Sequence, residues 1–319
     1  MRKLLALSIL TILTLASCNQ VNNGVEGKMF CFDTVNEIKL YDGDENNLKD
    51  VKDIFDFYDR AADNYNKRGE NNVFVINNIW NEPYQYDDKT YEMVRTTLGV
   101  MDEGAHHFSP MIGSLAKLWK NKLKDMQIPD ENEIQAELKK MATSHIELRE
   151  NNYIARIGQA ELDLGGIEKG YTLDMVQNYL KEKGKTNYLI NAGQSSILLG
   201  EKKSDDGLFN VGLTELDNSY LKLKNCFVST SGTSEQGVTI DGVTYSHIID
   251  PLTGSAINPY DAVIVISNKG YFGDAMSTSL MLSTLEEIKD ADKEYDIEVI
   301  VIKNKEILYK SESLEILHH

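Results

Sequence analysis

Apolar residues recur along this chain at two different spacings, and the change from one to the other divides it. Val51, Ile54, Phe55, Tyr58 and Ala62 fall on one stripe of a helix, and Tyr91, Val94, Leu98 and Met101 repeat the pattern. Ile112, Leu115, Ala116 and Trp119 predict a third helix, and Pro129-Asp130 opens a fourth, charged one that runs to about Thr143. A strand opened near Met29 and closed by Glu37 to Tyr41 precedes them. After residue 150 the period shortens and strands dominate, over 153–157, 188–191, 197–200, 209–213, 238–240, 244–248 and 262–267. Asp241-Gly242 between two of them is a hairpin signal. A helix from Asp274 and strands over 298–302 and 306–309 close the chain, so the class is α+β.

The first residues follow a different rule. Arg2 and Lys3 precede an apolar run, Leu4 to Leu15, that is too short to span a bilayer comfortably. Leu15-Ala16-Ser17-Cys18 then matches the pattern of a bacterial lipoprotein signal, with Cys18 the lipid-modified residue. The expectation is a leader over 1–17, a polar tether over 18–27 and one catalytic domain over 28–319, exported and membrane-anchored on the extracytoplasmic side.

The formal net charge of −17 becomes −19 once the leader removes Arg2 and Lys3. That balance argues against nucleic acid as a partner, because no basic stripe is present to displace counterions. It argues equally against broad contact with anionic lipid. With Cys18 assigned to the lipid, Cys31 and Cys226 remain in apolar runs and read as free thiols.

Four polar segments carry the candidate chemistry. In the first, a short apolar strand at Leu162 enters the turn Gly165-Gly166 and then a helix, with Asp163 before the turn and Lys169 after it. Such a strand-to-helix turn can present backbone N–H groups and a lysine to phosphate, although the spacing is not that of a Walker loop. The second, Asn191-Ala192-Gly193-Gln194-Ser195-Ser196, is a tight polar turn. The third joins Ser229-Thr230-Ser231-Gly232-Thr233-Ser234-Glu235 to Tyr245-Ser246-His247-Ile248-Ile249-Asp250-Pro251-Leu252-Thr253-Gly254. Hydroxyls at a strand end suit phosphate oxygens, and the Pro251 turn sets His247 and Asp250 at its mouth. In the fourth, Asp274 and Thr278 share one face of a helix. This is either a hard-oxygen set for magnesium or calcium or, for Asp274, a helix cap.

These segments, in this order, resemble the FAD:protein FMN transferases, the ApbE-type flavin transferases. The resemblance runs from about residue 28 to the end and adds Phe108-Ser109-Pro110-Met111-Ile112-Gly113 through Leu118-Trp119, similar to the family's flavin-contacting segment. It implies a T-fold-like mixed sheet and helices in two interleaved lobes, with the flavin site between them. It also implies a reaction: FMN passes from FAD to a threonine or serine hydroxyl of an exported flavoprotein, and AMP leaves. By the same resemblance Mg2+ would be held by Asp274, Thr278 and the Gly166 carbonyl. Asp163 and Lys169 would contact FAD, while His107, Phe108, Ser109 and Ile248 would line the flavin. His247 would take the acceptor proton and, with Asp274, carry the catalysis.

The chain departs from the family pattern in three places. Ser109 stands where an acidic residue is common, Asn191-Ala-Gly-Gln-Ser195 replaces Asn-Leu-Gly-Gly-Asn, and Phe32-Asp33-Thr34 replaces Met-Gly-Thr. Two other functions share the motifs. One is an FAD pyrophosphatase, with water in place of the acceptor hydroxyl; the other is a flavin-binding lipoprotein without catalysis.

Overall fold

The computed structural model describes residues 24–203, 206–233 and 237–318. The leader over 1–17, Cys18, residues 19–23 of the tether, Ser234 and Glu235 lie outside the described residues. The first strand, β1 (Val25–Cys31), takes in residues 25–27, which the polarity of the segment assigns to the tether. It pairs with β2 (Thr34–Leu40) through a two-residue turn, so the single strand predicted near Met29 is a hairpin. Phe32 and Asp33 both stand at φ 55. That left-handed turn matches strand twist but carries no Asn-Gly or Asp-Gly, and its sequence gives no turn signal.

Helix α1 (Glu45–Ala62) follows, closed at its start by Asp44 and Asn47 in a reciprocal capping box. Then come α2 (Val73–Asn78), β3 (Tyr84–Gln85), α3 (Asp88–Gly99), α4 (Gly113–Lys124) and α5 (Glu131–Ala142). Strands β4 (His145–Arg149) and β5 (Tyr153–Ile157) complete a small sheet with β3. Helix α6 (Glu168–Glu182) leads to β6 (Tyr188–Ala192), β7 (Ser196–Leu199), β8 (Phe209–Gly212), β9 (Ser219–Leu223) and β10 (Cys226–Gly232). The Asp241-Gly242 signal joins β11 (Val238–Ile240) to β12 (Val243–Tyr245) as predicted, although β12 ends three residues earlier than its apolar pattern suggests. The chain closes with β13 (Ala262–Ser267), α7 (Gly270–Leu280), α8 (Leu285–Glu294), β14 (Ile297–Lys303), β15 (Glu306–Lys310) and β16 (Leu317–His318).

Among the described residues the main sheet has eight strands, in the order β1-β2-β6-β7-β10-β13-β14-β15. The mixed sheet implied by the resemblance is antiparallel at every pair. The connections explain why. Each excursion returns to the end of the sheet it left, as Leu40 opposite Tyr188, Leu199 opposite Cys226 and Ser267 opposite Ile297 show. The excursion over 41–187 carries the second lobe inside the first. Helices α1, α6 and α7 cover one face of the sheet, and the small sheet β16-β9-β8 covers the other. Strand β13 is consequently buried along its whole length. Cys31 and Cys226, in β1 and β10, are free thiols.

Leu162 does not lie in a strand. The segment is extended and buried, and its backbone is held by Asn77, which accepts from Leu162 N at 2.8 Å and donates to Leu162 O at 2.8 Å. A side-chain amide here does what a neighbouring strand would do.

Candidate functional site

Helix α7 begins at Gly270 rather than at Asp274, and Lys269 ahead of it makes no side-chain cap. The cap comes from α6 instead: Asp174 Oδ1 accepts from Gly270 N at 2.9 Å and Oδ2 from Tyr271 N at 2.7 Å. Asp274 therefore sits one turn inside the helix, and the reading of it as a cap fails. Its carboxylate is buried. Oδ1 accepts from Ser229 Oγ at 2.6 Å and Ser196 Oγ at 2.8 Å, and Oδ2 accepts from Gly170 N at 2.6 Å. Burial pushes the carboxyl up from its ordinary range, against these donors and the charge of Lys169.

That arrangement needs two glycines. A Cβ on Gly170 would overlap the Gly270 carbonyl and stand 2.8 Å from Asp274 Cγ, so only glycine lets the starts of α6 and α7 cross this closely. One turn beyond Asp274, Thr278 Oγ1 lies 3.3 Å from Ser231 Oγ. Gly166 faces it: a Cβ there would stand 3.3 Å from Thr278 Oγ1 and 2.9 Å from Phe108 Cε2. The glycine turn, Phe108 and the α7 pair thus meet at one point.

That point is the floor of a cleft of about 800 Å³, walled by both lobes. His107, Phe108, Ser109, Asp163, Gly166, Lys169, His247, Ile248, Asp274 and Thr278 all line it. Asp163 is fixed, its Oδ1 accepting from Gly165 N and Oδ2 from Asn64 Nδ2, both at 2.8 Å. His107 is held by its own N–H, which donates to Ser279 Oγ at 2.9 Å, and its Nε2 lies 3.6 Å from Glu287 Oε1. Among the described residues the Lys169 ammonium makes no hydrogen bond or ion pair. The cleft wall and the Lys169 charge both push the His247 imidazole down from its usual 6.5. His247 itself opens onto the solvent in the cleft.

Three cleft residues escape the sequence reading of the site. Ser195 Oγ is buried in the wall and has no hydrogen-bond partner among the described residues. The Glu168 carboxyl lies deep in the wall, though part of the residue stays accessible, and burial pushes it up to about 8. Arg68, paired with Asp59 at 2.6 Å, arrives from the loop after α1, where no motif marks it. Ser195 lies in the polar turn after β6, and Glu168 lies between the glycine turn and Lys169, so their positions were legible; their burial was not.

Among the described residues no cluster of three or more His, Cys, Asp or Glu is placed to hold a metal. A mixed oxygen set is available instead. Asp274 Oδ1 already accepts two hydrogen bonds, while Oδ2 accepts one and keeps a free acceptor position. With the Thr278 hydroxyl and the Gly166 backbone beside it, this donor set fits a hard cation such as magnesium.

A family model described as the ApbE family matches residues 32–301. The chain belongs to the ApbE family. An FAD:protein FMN transferase of Klebsiella pneumoniae is 30% identical over 86% of this chain and 88% of its own length. Another, of Treponema pallidum, is 26% identical over 64% and 62%. Among solved structures, the ApbE protein of Thermotoga maritima superposes with a TM-score of 0.76 at 22% identity, covering 92% of this chain and 96% of that one. The flavin transferase ApbE of Vibrio cholerae gives 0.73 at 22% identity, over 91% and 98%. These two share the fold.

Two of the departures from the ApbE pattern fall on left-handed backbone. Asp33 and Gln194 stand where the family commonly has glycine, at φ 55 and φ 67. Asp33 lines the cleft, and Gln194 stands next to Ser195, which does.

Proposed function

We propose that this ApbE-family protein is a magnesium-dependent enzyme that transfers FMN from FAD to a threonine or serine hydroxyl of an exported protein. The observation that carries this reading is the buried Asp274 carboxylate, held by Gly170, Ser196 and Ser229 one turn before Thr278 and against the Gly166 turn. The cleft volume suits a dinucleotide. Asp274, Thr278 and the Gly166 carbonyl would hold the magnesium, which supplies Lewis-acid charge against the pyrophosphate.

The protein's own groups divide the remaining work. Lys169 and the Ser195 hydroxyl meet phosphate oxygens, and Asp163, fixed by Asn64 and Gly165, positions the dinucleotide. His107, Phe108, Ser109 and Ile248 wall the isoalloxazine and keep water out. The acceptor oxygen attacks the FMN-side phosphorus, forming a phosphoester as the pyrophosphate P–O bond breaks and AMP departs. His247, held neutral, accepts the hydroxyl proton. Anchoring through Cys18 on the extracytoplasmic side belongs to the same proposal and rests on the leader pattern.

Incubation with FAD and magnesium, with and without a co-expressed exported flavoprotein, tests the reading. AMP release with an FMN mass on the acceptor, both stopped by chelation, is expected. Free FMN and AMP in both tubes with no adduct would establish the pyrophosphatase instead, and intact FAD would establish a binding protein. Membrane fractionation of Cys18→Ser tests the anchor.

A further inference from the structure

On the face of the main sheet opposite the catalytic helices lies a second groove, of about 270 Å³. Its floor is Leu189, Asn191, Ile197 and Val228, and its wall is β8, the edge strand of the small sheet. Leu213 N donates to Ser219 O at 2.9 Å, and the register runs from there through Gly212 opposite Tyr220 to Phe209 opposite Leu223. In an antiparallel pair the bonded positions alternate. The N–H and C=O groups of Asn210 and Gly212 therefore point away from β9, along the free edge into the groove. Asn210 and Gly212 are exposed, and a Cβ built on Gly212 meets nothing within 4 Å, so the face of the strand at these positions is uncovered.

The groove adjoins the active cleft at one end of the sheet. Thr230 lines both, and a Cβ on Gly232, in the cleft wall, would stand 3.8 Å from Glu215 Oε1, in the groove wall. Gln194 in the groove and Ser195 in the cleft are neighbours on the β6–β7 turn, at the same end of the sheet. We infer that the groove receives the acceptor polypeptide, whose extended segment adds to the free edge of β8 and turns over the end of the sheet to present its hydroxyl in the cleft. The inference rests on the transferase reading, which requires a polypeptide, and not just a solvent molecule, to reach a cleft already filled by FAD. Edge addition reads little sequence through its backbone bonds, while the floor residues select alternate side chains.

The probe is a set of synthetic peptides, each with one threonine or serine, scored by mass for FMN addition. With the best peptide, Gly212→Pro, which removes an edge N–H not used by β9, raises KM for peptide by about tenfold and leaves FAD binding unchanged. Leu189→Trp, which fills the groove from its floor, does the same should the proline variant fold poorly. A non-reactive copy of that peptide, with valine for threonine, protects the Asn210 and Gly212 amides from hydrogen exchange. Unchanged KM in both variants, or FMN addition without amide protection, overturns the inference while leaving the transferase reading intact. Protection without peptide that rises with protein concentration overturns it in favour of a second copy of this chain. If the wild type modifies no peptide or protein, the transferase reading itself falls.

Discussion

Gly170 donates its backbone N–H to Asp274 Oδ2 at 2.6 Å, across the crossing of α6 and α7. Two motifs more than a hundred residues apart in sequence become one site through this contact. The crossing admits it because Gly170 and Gly270 carry no side chains where the two backbones meet.

Replacing Gly170 with alanine therefore disturbs both fold and site. The new methyl overlaps the Gly270 carbonyl, and overpacking of this kind costs roughly 1–3 kcal/mol. Urea unfolding should show the loss, and AMP release should fall with it. A Gly170→Ala protein as stable and as active as the wild type would falsify the close crossing.

Asp274→Ala leaves the Gly170 N–H and two serine hydroxyls without their acceptor. AMP release should drop to background, while FAD binding, followed by flavin fluorescence, weakens by no more than about tenfold because most contacts lie elsewhere in the cleft. Full turnover in this variant refutes the assignment of Asp274 as cation ligand.

Asp174 makes a pH prediction. Burial pushes its carboxyl up from 3.8 to about 6, despite the two backbone donors of α7. Between those values the folded state binds more protons than the unfolded one, so stability falls as pH rises through the window. Asp174→Asn should flatten that slope in thermal melts across the window.

His247→Gln should slow transfer by about a hundredfold or more if the imidazole takes the proton, with FAD binding retained. Because the cleft pushes this imidazole down, the acid limb of the wild-type rate profile should lie below 6.5. An acid limb at or above that value contradicts the lowering of the imidazole by the cleft, and a limb that survives in His247→Gln contradicts the base assignment.

Gln194 holds φ 67 next to Ser195. Gln194→Gly relieves a left-handed conformation that costs an L-residue roughly 1–2 kcal/mol, against about 0.4–1 kcal/mol for the freer unfolded chain. A higher melting temperature with unchanged AMP release is expected; a lower one shows that the Gln194 side chain contributes contacts of its own.

Where periodicity was long and regular the sequence was a good guide. Helices α1 and α4 and strand β5 sit where their apolar patterns put them, and the charged helix α5 starts where Pro129-Asp130 signals it. The failures have a common cause. The start of α7 carries no capping residue of its own, because its cap is Asp174 on another helix. Leu162 looks like a strand because it is apolar and extended, but Asn77 takes the hydrogen bonds a strand would need. The Phe32-Asp33 turn is bent by backbone conformation, with none of the residues that usually announce it.

The amino-acid order alone determined the α+β class, the order of the motifs and the kind of chemistry, since side-chain type and local period are local properties. It placed ten cleft residues without showing that they meet. The tertiary structure decided which carboxylate is buried, that Ser195 lacks a partner among the described residues, and that β8 stands at the edge of its sheet beside the second groove. Burial, satisfaction and exposure depend on contacts between segments far apart in the chain, here on two glycines that let two helices touch. No local pattern encodes that.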